Sequence, residues 1–403
     1  MARTLDDEVA RVLEAGSCSG CGACAQLDAG LEMHLDAAGF NRPRRVGAPT
    51  ADDTAVRRFR ASCPGVLVTA PVETGSRHHP TMGSYLEAWE AWAADPEVRH
   101  QGSSGGTITA LTSWMTSTGE AAAVVGAAAS PASPERTVTV QITSREEALA
   151  AAGSRYGPVS NAAAPGALDA PAFVGKPCEV SALRQLAAAG GTEPPVLLSF
   201  FCAGTPSQHA TTAVLAGMGV EDGEPLEAMW YRGRGWPGFF TAVTRAGRRL
   251  ETSYDDSWGS TLGPAVQWRC KICPDGVGES SDVTAADFWV ADDDGYPVFA
   301  EGAGSSALVV RTRRGADLVR RAVEAGVLEV RPIDVDDLAR VQPLQRRRRE
   351  TLLGRLVGAR LAGRRAPRFR GFGLVRLARR SPREALRTAR GSRSRVLRDR
   401  ARR

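Results

Sequence analysis

Eight cysteines in this 403-residue chain divide into two sets of four. Cys18, Cys21 and Cys24 form a C-x-x-C-x-x-C run, CSGCGAC, and Cys63 follows in the pair Cys63-Pro64. Cys178, Cys202, Cys270 and Cys273 make the second set, the last two as CKIC. Four thiolates hold one cubane iron–sulfur cluster, and a C-x2-C-x2-C run with a distant Cys-Pro is ferredoxin-like ligation. The count predicts two 4Fe-4S clusters with no cysteine left over, and hence electron transfer. Between the first three thiols, Ser19, Gly20, Gly22 and Ala23 are small enough for the chain to wrap one face of a cubane and aim backbone N–H groups at its sulfurs. A structural zinc site is the competing reading, although zinc favours paired knuckles over a run of three. The second set is more dispersed. Its competing reading is two buried structural cysteines beside a redox pair, and Lys176, Arg269 and Lys271 would offset the charge of four thiolates.

Three further segments could hold a ligand. Gly102-Ser103-Ser104-Gly105-Gly106-Thr107 leads into an apolar-periodic helix, and a glycine-rich helix N-terminus can aim several N–H groups at phosphate. That fits the pyrophosphate of FAD, although the pattern is neither a Walker A loop nor G-x-G-x-x-G, and a plain helix cap has the same look. Gly153-Ser154-Arg155-Tyr156-Gly157 offers an arginine for phosphate and a ring for stacking. Arg232, Arg234 and Trp236, in RGRGWPG, could grip an anionic or aromatic ligand. Each of the three alone reads equally as a turn. The five histidines are scattered and form no acid–base constellation, which flavin chemistry does not require.

The elements around these residues predict an α+β to α/β fold. Residues 1–75 read as a small ferredoxin-like cluster module: a helix at Leu5–Leu13, a hairpin turning at Ala38-Gly39, and a helix at Asp52–Arg60 that delivers Cys63. Pro71–Pro80 reads as a linker. Residues 81–340 alternate strands and helices as a mixed α/β flavin- and cluster-binding domain. Ala172–Gly175 and Val196–Cys202 are short apolar strands, each leading to a cysteine and then a helix. Cysteines so placed lie at the carboxyl edge of an open sheet, where such sheets bind ligands. Residues 341–403 form an arginine-rich tail.

With 43% hydrophobic residues the chain can bury real cores, which excludes wholesale disorder. Thiolate ligands suit a reducing cytoplasm, and the opening MARTLDDEVARVLEAG carries acids and no apolar run, predicting no export signal. No apolar stretch is long enough for a transmembrane helix. The net charge of +6 is uneven. From Arg346 onward 22 arginines face three acids, a charge of +19, so residues 1–345 carry 6 − 19 = −13. Such a tail is either a solvated extension with some helix or a contact for an anionic partner, nucleic acid or lipid. Arginine outnumbers lysine 49 to 2, and both lysines, Lys176 in GKPC and Lys271 in CKIC, stand beside cysteines.

In order along the chain, CSGCGAC, GSSGG, GSRYG, FVGKPCEVSAL, FFCAGTPS, RGRGWPG, and WRCKIC followed by ADFW resemble the beta subunit of coenzyme F420-reducing hydrogenase and its relatives, from Cys18 to Asp292. Those relatives include formate dehydrogenase beta subunits and the flavin- and cluster-dependent reductase of 7-hydroxymethyl chlorophyll. The resemblance implies a non-covalent FAD, one or two 4Fe-4S clusters, and hydride exchange with a carrier such as coenzyme F420. It places GSSGG, Tyr156 and Lys176 around the flavin, Lys176 steadying charge on the reduced ring, and the second cysteine set nearest to it. The expected function is an iron–sulfur flavoprotein oxidoreductase working with a redox partner protein or a small hydride carrier. The alternatives are a non-catalytic electron-carrier or scaffold subunit, an accessory protein of exopolysaccharide assembly, and a zinc-stabilised nucleic-acid binder.

Overall fold

A computed structural model describes residues 3–291, 297–298 and 301–401. Asp292, where the family resemblance ends, lies outside them. The architecture is mixed α/β. Its centre is an eight-stranded sheet of β1 (Glu87–Ala93), β2 (Val124–Ala129), β3 (Thr137–Ile142), β4 (Ala172–Gly175), β5 (Val196–Phe200), β6 (Val283–Asp287), β7 (Ser306–Val310) and β8 (Leu328–Pro332). The spatial order is β8-β1-β7-β6-β5-β4-β2-β3. Strands β2, β4, β5 and β6 are mutually parallel, while β3 on one side and β7, β1 and β8 on the other pair antiparallel.

Both faces of this sheet are covered, which is why its central strands are continuous apolar runs rather than alternating ones. Successive residues of a strand point to opposite faces. Phe173 and Leu197 accordingly pack against Val180, Leu183 and Leu186 of the helix Pro177–Gly190. Their neighbours Val174 and Leu198 pack on the other face, in the core of Leu111, Met115, Val283 and Leu308. Each fully buried leucine contributes roughly 2 kcal/mol. The helix Thr107–Thr118 supplies Leu111 and Met115 to that second face.

The N-terminal segment folds around local caps. Thr4 and Asp7 form a reciprocal capping box that starts the helix Leu5–Glu14, and the Asp52 carboxylate accepts from the Ala55 N–H to start Asp53–Ser62. Their apolar faces (Val9 and Val12; Val56 and Phe59) close on each other and on Leu31 of the hairpin Leu31–Leu35/Asn41–Arg45. Asp28 locks the hairpin, accepting from Arg45, from Thr50 Oγ1 and from the N–H of Gly30, Thr50 and Ala51.

Two expectations change. The segment expected as a linker contains a strand, Arg77–His79, paired antiparallel with Gly83–Tyr85, and the His79 Nδ1 accepts the Thr81 and Met82 N–H groups. A polar, proline-punctuated sequence gave no strand signal because the pairing is held by a side chain acting on backbone. The basic tail, for its part, is largely folded onto the body. The helix Pro343–Leu361 buries Leu352 and Leu356 against Ile272, and Arg368–Arg370 pairs parallel with Leu67–Thr69. Helices Leu374–Arg380 and Pro382–Ala401 follow.

Candidate functional site

The first cysteine set closes on itself. Cys18, Cys21, Cys24 and Cys63 line one cavity together with Val12, Leu13 and Phe59. Cys63 caps the helix Asp53–Ser62, its N–H donating to the Phe59 carbonyl at 2.8 Å, so the helix delivers the distant thiol to the run. Gly22 has φ +88°, and a Cβ there would collide with Ala163, so only glycine lets the chain turn between Cys21 and Cys24. The Gly20 N–H points at Cys18 Sγ, 3.4 Å away. Burial raises each of the four thiols, and at Cys24 the charges of Cys21, Cys18 and Cys63 add to the rise. Four buried thiols raised in this way keep their protons on their own; a cationic centre such as an iron–sulfur core would displace them. Among the described residues no three His, Cys, Asp or Glu side chains gather closely enough to hold a single metal ion.

The second set is assembled from three places. Cys178 follows β4 in the first turn of the helix Pro177–Gly190, Cys202 follows β5, Cys270 lies within the short turn Trp268–Lys271, and Cys273 follows it. The Thr205 N–H donates to Cys270 Sγ at 3.3 Å, and Gly204 lies against the Cys270 Cβ. Burial, then Cys270, pushes the Cys202 thiol up to about 12, while Arg348 and Lys176 oppose the rise. Cys178 is also raised by burial, against Lys176 and with Glu179, Cys21 and Cys202.

The two sets adjoin. Cys178 packs in the same apolar cluster as Cys21. Arg269, 2% exposed, sends Nε and Nη2 to the Pro64 carbonyl at 3.2 and 3.0 Å, next to Cys63, from a position next to Cys270. Its guanidinium acts on Cys18 and Cys63 of one set and on Cys178, Cys270 and Cys273 of the other. Burial pulls the Arg269 pKa down, but the thiolates outweigh it and the net shift is upward. Arg348 donates to the Cys202 and Ala203 carbonyls at 3.2 and 3.0 Å. The charge offset thus comes from Arg269, Arg348 and Lys176, whereas Lys271 is exposed, with its ammonium on the Pro264 carbonyl. Lys176 is buried, its Nζ 2.7 Å from both the Val159 carbonyl and Glu179 Oε1. Burial lowers its pKa, yet Glu179, Cys178 and Cys202 hold it above the ordinary lysine value. It stands on the cysteine side.

The three loops singled out as ligand-binding candidates meet. Ser154 Oγ donates to Ser103 Oγ at 2.8 Å, the Ser154 N–H to the Arg232 carbonyl at 3.1 Å, and the Gly235 N–H to the His100 carbonyl at 3.0 Å. Ser104 Oγ and the Gly105 N–H are tied to β7 through Ser305 and Ser306. Gly106, φ +72°, starts the helix Thr107–Thr118 with no side-chain cap. Thr107 is 2% exposed, and its Oγ1 has no hydrogen-bond partner. A buried, unsatisfied hydroxyl at an uncapped helix N-terminus is what a phosphate would complete. Arg232, 1% exposed, pairs with Asp287 through both terminal nitrogens at 2.6 and 3.2 Å and donates Nε to the Pro237 carbonyl. Its guanidinium stands 5.0 Å from the rings of Trp236, Tyr254 and Trp289. Beside this aromatic group a cavity of about 530 Å3 is lined by Arg234, Trp236, Phe239, Tyr254 and Glu301. Its size falls within the range of small-molecule sites.

Arg155 and Tyr156 are both held by contacts around their loop. All three Arg155 guanidinium nitrogens are engaged, with Thr137 Oγ1 and with the carbonyls of Met229, Pro134 and Arg136, so this arginine ties loops together. Tyr156 packs on Tyr231 and Trp258, with ring centroids 5.5 and 4.9 Å away. Sequence reasoning did not reach Asp287, Trp289 and Tyr254, or Arg348 and Gln345, which both bond the Cys202 carbonyl. Asp287 had a signal in the motif ADFW, whose acid it is. Arg348 had none, being one of 22 arginines in the tail.

Sheet topology puts everything on one edge. Ser306 of β7 is paired with Asp287 at the end of β6 and with Ala91 near the end of β1. The carboxyl ends of β1 and β6, which lead to GSSGG and to Asp287, therefore share an edge with those of β4 and β5, which lead to Cys178 and Cys202.

Comparison with known proteins gives the family and the fold. Residues 88–164 match the N-terminal part, and residues 168–336 the C-terminal part, of the family described as coenzyme F420 hydrogenase/dehydrogenase, beta subunit. The chain is 25% identical over 269 residues to the coenzyme F420 hydrogenase subunit beta of Methanococcus voltae, covering 63% of this chain and 86% of that one. Its fold is similar to a chain of the F420-reducing NiFe hydrogenase complex from Methanosarcina barkeri, with a TM-score of 0.56 and 19% identity over 72% of this chain and 98% of that one. The two consecutive family matches run from the second residue of β1 to beyond the end of β8, so together they span the sheet and its loops and more than half of the chain. The chain belongs to the coenzyme F420 hydrogenase/dehydrogenase beta-subunit family.

Proposed function

We propose that this chain is the iron–sulfur flavoprotein subunit of an oxidoreductase, with a ferredoxin-like N-terminal module and a flavin-binding α/β domain. The observation that carries the reading is the single sheet edge: three ligand-binding loops meet at the ends of β1 and β6, and two adjoining sets of four thiols lie at and beyond the ends of β4 and β5. Bound there, FAD would exchange a hydride with coenzyme F420 or a similar carrier, and two 4Fe-4S clusters would pass single electrons to a partner protein.

The residues have separable tasks in this reading. Gly102 to Gly106 let backbone approach phosphate, and Thr107 Oγ1 supplies the buried donor. Arg232, clamped by Asp287, holds the loops 153–157 and 232–238 in register and braces Trp236, Tyr254 and Trp289. Cys18, Cys21, Cys24 and Cys63 hold one cluster, and Cys178, Cys202, Cys270 and Cys273 the other. Lys176 steadies negative charge from the cysteine side, through Cys178 and Cys202. No acid–base residue is required, because the protein's part is binding, orientation and electrostatics.

The test is the absorbance spectrum of protein purified without oxygen, followed by addition of reduced deazaflavin, NADH and NADPH in turn. The expected result is flavin bands over a broad background that bleaches with one of these donors. A spectrum with neither flavin nor iron–sulfur absorption, or zinc without iron or sulfide, refutes the reading.

A further inference from the structure

We propose that the C-terminal helix Pro382–Ala401 is a docking face for an anionic lipid surface, on which the protein lies without spanning it. The helix is fixed to the body by its small residues. At Gly354 and Gly358 of Pro343–Leu361 a Cβ would collide with the Ala385 and Ala389 carbonyls, so the two helices approach closely along that line. Ser392 and Val396 continue this buried face.

A neighbouring face, about 100° round the helix from the packed one, is amphipathic in an unusual way. At 3.6 residues per turn, Leu386, Arg390, Arg393 and Leu397 fall within an arc of about 60°. Leu386 is 53% and Leu397 43% exposed, and both arginines are exposed. Arg383, Arg387 and Arg398 lie beside this stripe, on the side away from the packed face. Glu384 pairs with Arg387 and Arg347, which leaves the segment strongly positive, at 22 arginines to three acids from Arg346 onward. Among the described residues, half of the twelve large hydrophobic side chains that are exposed lie from Leu344 onward, Val357, Leu361 and Val375 included.

The two properties together select the partner. Clustered arginines attract any polyanion, nucleic acid included. Aliphatic side chains standing among them have no use on a phosphate backbone, but they enter the headgroup–acyl boundary of a membrane while the arginines meet anionic headgroups. Among the described residues no helix is long and apolar enough to cross a membrane. The inference rests on the helix alone and not on the redox reading.

The test is flotation of the full-length protein with phosphatidylcholine vesicles and with vesicles in which about a third of the lipid is phosphatidylglycerol. Binding to the second alone is expected, weakening as salt shortens the range of the attraction. Two double variants, L386S/L397S and R390Q/R393Q, should each lower the bound-to-free ratio on the order of tenfold. Iron content and far-ultraviolet circular dichroism should match the parent protein, since the four side chains are exposed. No binding to anionic vesicles overturns the proposal. So does binding that the leucine variant leaves unchanged, or that a short DNA duplex abolishes at matched phosphate, because either result makes the face a general polyanion surface.

Discussion

Arg269 offers the most discriminating perturbation. It is buried, adjoins Cys270 in sequence, bonds the carbonyl next to Cys63, and acts electrostatically on both thiol sets. Arg269→Met keeps much of the volume and removes the charge. A unit charge about 8 Å from a redox centre, at an effective dielectric constant of about 20, contributes roughly 2 kcal/mol. For one electron that is on the order of 90 mV, and losing a positive charge moves the potential downward. Both clusters should shift, because one guanidinium faces both sets. The Pro64 carbonyl also loses its donors, which costs about 1–3 kcal/mol of stability. Potentiometric titration followed by electron paramagnetic resonance reads the potentials, and Arg269→Lys is the control. Retaining charge, it should restore most of the potential while recovering little of the two-donor bond. Unchanged potentials at both clusters in Arg269→Met, with full iron content, would refute the reasoning that the two sets share this charge.

The remaining predictions separate flavin, iron and folding. Gly105→Ala puts a methyl into the Ala91 carbonyl and should release FAD with iron unchanged, whereas Thr107→Val, nearly isosteric, should weaken FAD about tenfold without lowering the melting temperature; flavin retained at full affinity in both would remove the loop from the site. Cys178→Ala should halve the iron per chain by elemental analysis, and an unchanged iron count would eliminate the second cluster. Asp28→Asn should destabilise the N-terminal module by about 3 kcal/mol, since it leaves Arg45 without its buried partner. Arg45, against burial and with the Gly30 and Thr50 N–H groups, holds the Asp28 carboxyl well below the usual carboxylate value. Its stabilisation is therefore present above the ordinary carboxylate pKa of about 4 and is lost as pH falls below it. Melting curves of the parent protein should weaken through that acid range, and those of Asp28→Asn should show a shallower fall.

Much of the sheet was legible because its strands are short apolar runs bounded by glycine, proline and polar residues. Ala172–Gly175 has its expected limits, and Val196–Phe200 starts where expected and ends two residues short of Cys202. The strand Leu328–Pro332 was not legible. It is an edge strand whose outward residues, Glu329 and Arg331, are polar, and its pairing with β1 depends on a partner more than 200 residues earlier. The tail was harder still. Its arginines look like a solvated surface in one dimension, yet Arg348 and Arg349 are buried in the fold. Lys271 shows the converse, since a position inside CKIC implied a role at the thiols and the turn instead carries the side chain outward.

The sequence by itself determined which atoms are available for chemistry: eight thiols in two fours, three small-residue loops, and strands that end at cysteines. Local spacing and periodicity carry that information, because ligation by a C-x-x-C-x-x-C run and the pitch of a strand are short-range properties. Only the tertiary structure decided which of these meet. The adjacency of Cys21 with Cys178, the reach of Arg269 from one set to the other, and the clamp of Arg232 on Asp287 join residues separated by 55 to more than 200 positions. Such contacts follow from strand order and helix packing, and no local pattern encodes them.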